Sequence, residues 1–171
     1  LVISGKPGPV MDAFTALPAV SEIQSKGETK SSIRTAAGVQ VDCRVIEKRS
    51  FGAALLYFTG SKDFNVKLRM LAQKTGHKIN EYGVFTKADE LVCGRNEQEI
   101  FKFLNMQYVP PEMREDTGEI EQALAHVLPS IVEETDIKGD LHVHSTWSDG
   151  ANTIEEMAVA ARKRGYAYIA S

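Results

Sequence analysis

Tyr57-Phe58-Thr59-Gly60-Ser61, residues 57–61, interrupts an otherwise helical stretch of the chain. The apolar residues 50–58 predict a short helix, and Gly60 ends it because glycine is unfavourable inside a helix. Ser61 is a good N-cap residue, so a second helix is predicted from Ser61 to about Thr75, where Gly76 follows. We therefore expect two helices joined by a backbone turn that projects from the surface.

The second predicted helix has two distinct faces. One face is apolar and predicts packing against a core, and the other is polar. The apolar set is Phe64, Leu68, Leu71 and Ala72, and the polar set is Lys62, Asn65, Arg69 and Gln73. The polar set could be an ordinary solvated surface or a binding surface, and periodicity alone does not separate the two.

Residues 1–49 predict a small antiparallel sheet with one helix packed on it. Strands are expected over residues 1–4, 21–25, 29–35 and 39–45, and a helix from Pro9 to Leu17. Residues 39–45 alternate strictly, which places Val39, Val41, Cys43 and Val45 on one face. Asp42 and Arg44 share the opposite face, either as a functional pair or as a surface salt bridge.

Residues 50–115 predict a second α+β region. After the two helices come strands over residues 80–85 and 88–93 and a helix over 96–105, and Pro110-Pro111 ends the regular structure. Residues 112–138 are acidic and carry only a weak helical pattern. We expect residues 116–138 to be a linker.

Residues 139–171 predict a β-α-β unit, the start of an α/β barrel or layered α/β domain. A strand is expected over residues 140–145, a helix from a capping box of Thr153 and Glu156 to Arg164, and a strand over 166–170. Leu141 and Val143 should face a core. Asp140, His142 and His144 then share the other side of the strand.

Composition and charge set further limits. The chain has 171 residues, 43% hydrophobic and 25% charged, and no apolar run long enough for a membrane helix, so we expect a globular protein without a membrane partner. Residues 1–115 hold 16 basic and 13 acidic side chains, and residues 116–171 hold 4 and 10. The basic part could face nucleic acid or be an ordinary solvated surface. Cys43 and Cys93 predict reduced thiols and a cytoplasmic protein.

Imidazole and carboxylate groups after residue 139 predict a metal site. His142 and His144 lie two residues apart, and Asp149 follows in the next loop, before Gly150. This donor set suits Zn²⁺, Mn²⁺ or Fe²⁺ with one position left open for water. A lone pair of histidines at this spacing is as often structural, and Asp149-Gly150 favours the functional interpretation.

The segment Asp140-Leu141-His142-Val143-His144-Ser145 with Ser148-Asp149-Gly150 resembles the first motif of the PHP (polymerase and histidinol phosphatase) family. The resemblance implies a seven-stranded α/β barrel that hydrolyses phosphate esters with a metal-activated water. It implies that His142, His144 and Asp149 bind Zn²⁺ or Mn²⁺. The other ligands of that family have no counterpart in these residues.

Most of residues 1–115 resembles the family X DNA polymerases, the DNA polymerase beta-like group. The matching segments are Lys26-Gly27-Glu28-Thr29-Lys30, Val41-Asp42-Cys43-Arg44, Tyr57-Phe58-Thr59-Gly60-Ser61, Phe64-Asn65 with Arg69, and Asn80-Glu81-Tyr82. The resemblance implies an α+β fold: part of a polymerase palm over residues 1–49, an α+β thumb over 50–115, the linker, and the first β-α-β unit of a PHP barrel over 139–171. Since the chain begins and ends on predicted strands, we expect an internal piece of a longer bacterial or archaeal polymerase that is prone to non-native self-association.

The polymerase resemblance also implies roles for single residues. Asp42 would be the third of three aspartates that hold Mg²⁺ or Mn²⁺, and Arg44 a switch that pairs with a palm carboxylate or with Glu81 and Tyr82. The incoming deoxynucleoside triphosphate would contact Tyr57, Phe58, Gly60, Ser61, Asn65 and Arg69, and DNA would contact Thr29, Lys30, Glu81 and Tyr82. Where some relatives carry a lysine that stacks on the template base, this chain has Val66.

Two functional hypotheses follow. The first is a DNA-directed DNA polymerase for gap filling that also carries a phosphoesterase or 3′–5′ exonuclease domain. The alternative is a histidinol-phosphatase-like phosphoesterase with an unrelated nucleic-acid-binding N-terminal module. Because two of the three aspartates and most PHP ligands are missing, we expect the 171 residues alone to be inactive and at most to bind DNA weakly.

Overall fold

The computed structural model describes residues 1–3 and 5–170 and divides the chain into two compact units, residues 1–128 and 129–171. The first unit opens with a mixed sheet of four strands in the order β1-β4-β3-β2. Its elements are β1 (Val2–Ile3), α1 (Pro7–Thr15), β2 (Val20–Lys26), β3 (Lys30–Thr35) and β4 (Gln40–Ile46). Strands 2, 3 and 4 therefore lie where the alternation of the sequence predicts them; Ser4 of the predicted first strand lies outside the described residues.

The prediction of a purely antiparallel sheet is wrong at one edge. Strands β2, β3 and β4 pair antiparallel, but β1 pairs with β4 in parallel, with Val2 opposite Val45. Parallel neighbours need a long connection, and here α1 and the β2–β3 hairpin provide it.

Helix α1 packs on this sheet through a small core of Met11, Cys43 and Val45. The helix begins at Pro7, two residues before the predicted start at Pro9, and both prolines lie in its first turn, where proline is well suited. The helix ends at Thr15, before Pro18. Only part of the predicted apolar face of β4 is buried: Val39 and Val41 are 57% and 38% exposed. Burial therefore starts at Cys43, where the helix covers the sheet.

Two helices follow, α2 (Phe51–Thr59) and α3 (Lys62–Lys74), separated at the predicted position. The Ser61 hydroxyl accepts a hydrogen bond from the Phe64 amide at 3.1 Å, which confirms the N-cap. Phe64, Leu68 and Ala72 are fully buried, as their spacing predicts. They join a large core with residues of α2, of the next sheet and of α4 (Glu97–Phe103).

The strand predicted over residues 80–85 is instead a hairpin. Strands β5 (Lys78–Asn80) and β6 (Gly83–Phe85) pair antiparallel across a turn at residues 81–82, and β7 (Leu91–Cys93) completes the three-stranded sheet. Asn80 accepts a hydrogen bond from the Tyr82 amide, and Gly83 has a φ of +148°, so local turn geometry overrides strand propensity here. Strand β7 also starts three residues later than predicted, after a turn at residues 87–88.

The first unit continues beyond residue 115, where the linker was predicted to begin. A short helix, α5 (Glu119–Leu124), buries Ile120 and Ala123 in the large core, and Leu128 packs against it. The predicted domain boundaries themselves stay predictions, but residues 116–128 pack against the unit that precedes them.

The second unit contains a β-α-β arrangement: β8 (Gly139–Asp140), α6 (Ile154–Lys163) and β9 (Tyr168–Ile169), with the two strands parallel. The predicted capping box of Thr153 and Glu156 is present. The strand predicted over residues 140–145 ends at Asp140. The Asp140 carboxylate accepts a hydrogen bond from the His142 amide, a local turn that competes with strand pairing. Leu141, expected to face a core, is 73% exposed.

Candidate functional site

Asp42 and Arg44 project from β4, where they pair across the sheet with Ser32 and Lys30. Asp42 is exposed, and the Gln40 amide donates to its carboxylate at 3.4 Å. The Ser32 hydroxyl, followed by the Gln40 amide, lowers the pKa of Asp42 below its usual value. Asp42 is therefore a carboxylate at neutral pH, the form that a hard cation such as Mg²⁺ requires.

Arg44 connects the four-stranded sheet to the two elements beyond it. Its guanidinium lies 4.9 Å from the centre of the Phe58 ring at the end of α2, and Nη1 lies 3.9 Å from Oε1 of Glu81 in the β5–β6 turn. Arginine combines a fixed charge with a flat face, so it can contact a carboxylate and a ring together. The alternative of a simple surface salt bridge to Asp42 is not what Arg44 forms, since its ion pair is with Glu81.

The helix break at residues 57–61 is held by specific hydrogen bonds. Gly60 has extended backbone angles, and its amide donates to the Leu56 carbonyl at 3.0 Å. The Asn65 side-chain amide donates to the Tyr57 carbonyl at 2.9 Å and is 3.5 Å from the Gly60 carbonyl. Tyr57 and Phe58 are partly exposed and meet edge to face. The break thus presents two aromatic rings on a fixed backbone.

Asn65 and Arg69 lie one turn apart on α3, and both line a small recess with Tyr57 and Asn80. Arg69 is exposed, whereas the Asn65 amide is already engaged by the backbone of the break. The polar face of α3 is therefore continuous with the break, and the structure brings these predicted residues together.

A larger cleft of about 500 Å³ opens between β4 and the β5–β7 sheet. Thr29, Arg44 and Tyr82 line it, together with the charged side chains of Glu47, Arg49 and Asp89. Of the residues predicted to contact DNA, Thr29 and Tyr82 thus share one cleft, and Glu81 reaches it through Arg44. Lys30 is exposed on β3 and does not line the cleft.

Arg114 forms a buried ionic network next to the helix break that no local sequence pattern predicts. Arg114 is 1% exposed; Nη1 donates to Oε1 of Glu97 at 2.7 Å and Nε to the Val109 carbonyl at 3.0 Å. The Arg114 carbonyl in turn accepts the Ser61 amide at 3.1 Å. An arginine close to Pro110-Pro111 gave no local signal, because its partner lies 17 positions away in sequence.

The second unit brings the predicted metal ligands into contact with one another. Nε2 of His142 lies 2.9 Å from Nε2 of His144, and the two rings stack. Two nitrogens bound to one tetrahedral Zn²⁺ lie about 3.4 Å apart, so a small separation of the rings would admit an ion. The pair fits a metal in donor type.

Asp149 contacts the opposite nitrogen of His144, with Oδ1 2.6 Å from Nδ1. A carboxylate in that position orients an imidazole and strengthens its other nitrogen as a ligand. Within residues 1–3 and 5–170, no three His, Cys, Asp or Glu side chains are grouped to hold a metal ion. The ligand role of Asp149 therefore stays a prediction.

Known proteins resemble the first unit in sequence and in structure. The family model of the DNA polymerase beta thumb matches residues 54–115, which contain the helix break, α3 and the three-stranded sheet. A crystal structure of Leishmania infantum polymerase beta, described as a ternary P/T complex, is similar with a TM-score of 0.56 and 28% identity. That similarity covers 66% of this chain and 56% of the other.

Two sequence relatives extend the comparison. The DNA polymerase/3′-5′ exonuclease PolX of Bacillus subtilis (strain 168) is 38% identical over 173 residues, which is 99% of this chain and 30% of that protein. DNA polymerase IV of Saccharomyces cerevisiae is 40% identical over 63 residues, 37% of this chain and 11% of that protein. The chain thus spans less than a third of the length of either relative. No helix of the described part is long and apolar enough to cross a bilayer.

Proposed function

We propose that this chain, which belongs to the family X DNA polymerases, is part of an enzyme that extends a DNA primer along a template. One observation carries the proposal. The Arg44 guanidinium connects the strand that bears Asp42 to the Phe58 ring of the helix break and to Glu81. A candidate metal carboxylate and a candidate nucleotide surface are thereby held in one compact unit.

The nucleotide would lie against the helix break and the polar face of α3. Tyr57, Phe58, Gly60 and Ser61 form a rigid edge that suits contact with a sugar, since Asn65 and Arg114 bond the backbone on either side. Arg69 is exposed one turn further along, where it can reach a base edge in the minor groove. Thr29, Lys30, Glu81 and Tyr82 would contact the DNA.

Asp42 would contribute one carboxylate to a Mg²⁺ or Mn²⁺ site. The metal would activate the primer hydroxyl and stabilise the leaving pyrophosphate. Asp42 supports this role by its position, because its carboxylate is exposed on β4 and a cation in solvent can reach it. When Arg44 leaves Glu81, it would pair with a palm carboxylate in competition with the metal. This exchange would couple metal binding to the position of the helix break.

Primer extension by the whole protein tests the proposal. Asp42→Ala should reduce extension below detection, and Arg69→Ala should raise the KM for the nucleotide about 10-fold. Arg34→Ala is a matched control, since Arg34 is an exposed arginine of β3 that pairs with Glu22. Full activity in Asp42→Ala would refute the metal role, and equal KM changes in Arg69→Ala and Arg34→Ala would refute the nucleotide contact.

We propose a second activity for residues 139–170, hydrolysis of phosphodiesters as in a PHP domain. The parallel β-α-β unit and the His142–His144 pair support it, as does the word exonuclease in the name of the Bacillus relative. His142 and His144, with Asp149, would hold Zn²⁺ or Mn²⁺, and the metal would supply an activated water. His142→Ala should lower both the zinc content of the whole protein and its release of 3′ nucleotides. Unchanged metal content would refute the ligand role.

The alternative of a phosphatase with an unrelated N-terminal module is not supported, because residues 54–115 match the polymerase thumb.

We further propose that the protein acts in the cytoplasm on gapped DNA. Cys43 and Cys93 are both free thiols, which is compatible with a reducing compartment.

A further inference from the structure

Lys67 lies on the side of α3 that faces away from the proposed nucleotide contacts. It stands two positions after Asn65 and two positions before Arg69. Successive residues of a helix are rotated by about 100°, so two positions place side chains about 160° apart around the axis. The Lys67 ammonium is therefore on the back of the helix whose front carries Asn65 and Arg69.

Two carboxylates hold this ammonium. Lys67 Nζ donates to Oδ1 of Asp116 at 2.6 Å and lies 2.6 Å from Oε1 of Glu121. The Lys67 and Asp116 side chains are 32% and 26% exposed, so solvent screens their pairing only in part. A single ion pair in water contributes little to stability, but one cation shared by two carboxylates fixes three side chains relative to one another.

The loop that carries the two carboxylates has a fixed backbone. Glu119 is buried, and its carboxylate accepts the amides of Asp116 and Thr117 at 2.7 Å each. Asp116 has a φ of +59°, a left-handed conformation that aspartate adopts more readily than most residues. Ile120 is buried in the large core and anchors α5 there. The loop therefore presents its carboxylates to Lys67 at a defined place.

The same segment of chain also holds the beginning of α3. The amide of Ser61, the N-cap residue, donates to the Arg114 carbonyl at 3.1 Å, and Arg114 is itself buried against Glu97. Residues 114–121 thus hold α3 at its N-terminus and again at Lys67, about 9 Å further along the axis. A helix held at one end can pivot about that end, and the second attachment opposes the pivot.

We propose that Lys67 is a positioning residue for nucleotide binding. Its ion pairs with Asp116 and Glu121, here called the tether, set the position of α3 and hence of the two nucleotide contacts on its front. The inference rests on the proposed polymerase function and extends it to residues behind the nucleotide surface. Because two carboxylates already engage the ammonium, Lys67 is not a contact to DNA phosphate. Loss of the tether should therefore weaken binding of the nucleotide and not of the DNA.

Insertion of a single nucleotide by the whole protein on a primer-template tests the proposal. Lys67→Met removes the charge but keeps an unbranched side chain that favours a helix. It should raise the KM for the correct deoxynucleoside triphosphate about 3- to 30-fold, with a much smaller change in kcat. Lys67→Arg keeps the charge and should retain most of the wild-type KM. Lys74→Met is the matched control, since Lys74 is an exposed lysine of the same helix, and it should leave the KM unchanged.

A mutant cycle separates the tether from general damage to the fold. Asp116→Asn combined with Glu121→Gln removes both carboxylates and keeps a residue at position 116 that tolerates left-handed backbone. This double variant should raise the KM as much as Lys67→Met, and the three substitutions together should raise it no further. A wild-type KM in Lys67→Met would overturn the tether, as would effects that multiply in the combined variant.

DNA binding distinguishes the tether from a phosphate contact. The Kd for the primer-template should depend on salt in the same way in the wild-type protein and in Lys67→Met. A slope of log Kd against log salt that is smaller by about 0.9 in Lys67→Met would assign Lys67 to a phosphate and refute the tether. If Arg69→Ala raises the KM and Lys67→Met does not, the tether fails and the proposed function stands. If neither variant changes the KM, the proposed nucleotide surface fails together with the tether.

Discussion

Substitution of Gly52 by alanine is the sharpest test of how the helix break is supported. Gly52 lies in the first turn of α2, which leads into residues 57–61, and it packs against the backbone of Asn96. A methyl group at position 52 would lie 2.5 Å from the Asn96 nitrogen and nearer to its Cα and carbonyl carbon. Carbon atoms in normal contact stay about 3.5–4.0 Å apart. The backbone of either α2 or Asn96 must therefore move by roughly 1 Å or more.

The expected cost follows from what this movement breaks. The Gly52 and Ala53 amides donate to the carbonyls of Arg95 and Gly94 at 3.1 and 2.9 Å. The Asn96 side chain caps α4 by accepting the Glu99 amide at 2.9 Å. Overpacking costs about 1–3 kcal/mol and a lost cap about 1 kcal/mol, while alanine returns about 1 kcal/mol of helix propensity. We expect a net loss of about 1–3 kcal/mol in the free energy of unfolding.

Urea denaturation followed by circular dichroism measures this loss. Gly8→Ala is the matched control, because Gly8 lies in the first turn of α1 and a methyl there meets no atom within 4 Å. It should change the free energy of unfolding by less than about 1 kcal/mol, because the helix propensity gained is offset by placing a Cβ in helical conformation before Pro9. If Gly52→Ala unfolds at the same urea concentration as Gly8→Ala, the close packing of α2 on α4 is not as described.

Three other perturbations test the structure by the same measurement. Glu97→Gln should cost about 3 kcal/mol, since it leaves the buried Arg114 guanidinium without its charge partner, whereas the exposed Glu112→Gln should cost nothing measurable. Ser61→Ala should cost about 1 kcal/mol through loss of the α3 cap, and Ser61→Asp should restore it. Burial raises the pKa of the Cys93 thiol from 9.0 to about 11. Below pH 9 the thiol is neutral in both the folded and the unfolded state, so its contribution to stability is fully present there. That contribution should be lost between pH 9 and 11, and Cys93→Ser should remove this part of the pH dependence.

Each of these has an outcome that contradicts it. Equal stability of Glu97→Gln and Glu112→Gln would show that the ionic network is not buried. A Ser61→Asp protein no more stable than Ser61→Ala would argue against the cap. A parallel pH profile of wild type and Cys93→Ser would place the thiol in water.

Short-range features could be predicted from the sequence because their partners lie within a few residues. The Ser61 cap, the Thr153–Glu156 capping box and the buried face of α3 all appear where their spacing places them. The polymerase motifs were recognisable for the same reason, since each is a compact run of residues. Local competition explains the errors: Asn80 and Asp140 turn the backbone by accepting nearby amides and shorten the strands predicted there.

The partners of individual side chains depend on contacts that no local pattern encodes. The pairing of β1 with β4, Arg44 with Phe58 and Glu81, and Arg114 with Glu97 joins residues from 14 to 43 positions apart. Such contacts form only when the chain closes long loops around a core, so their geometry belongs to the tertiary structure. The sequence by itself thus determined the longer helices, the caps at Ser61 and Thr153, and the chemistry-bearing motifs, but not α5. Only the tertiary structure decided which charges and rings meet.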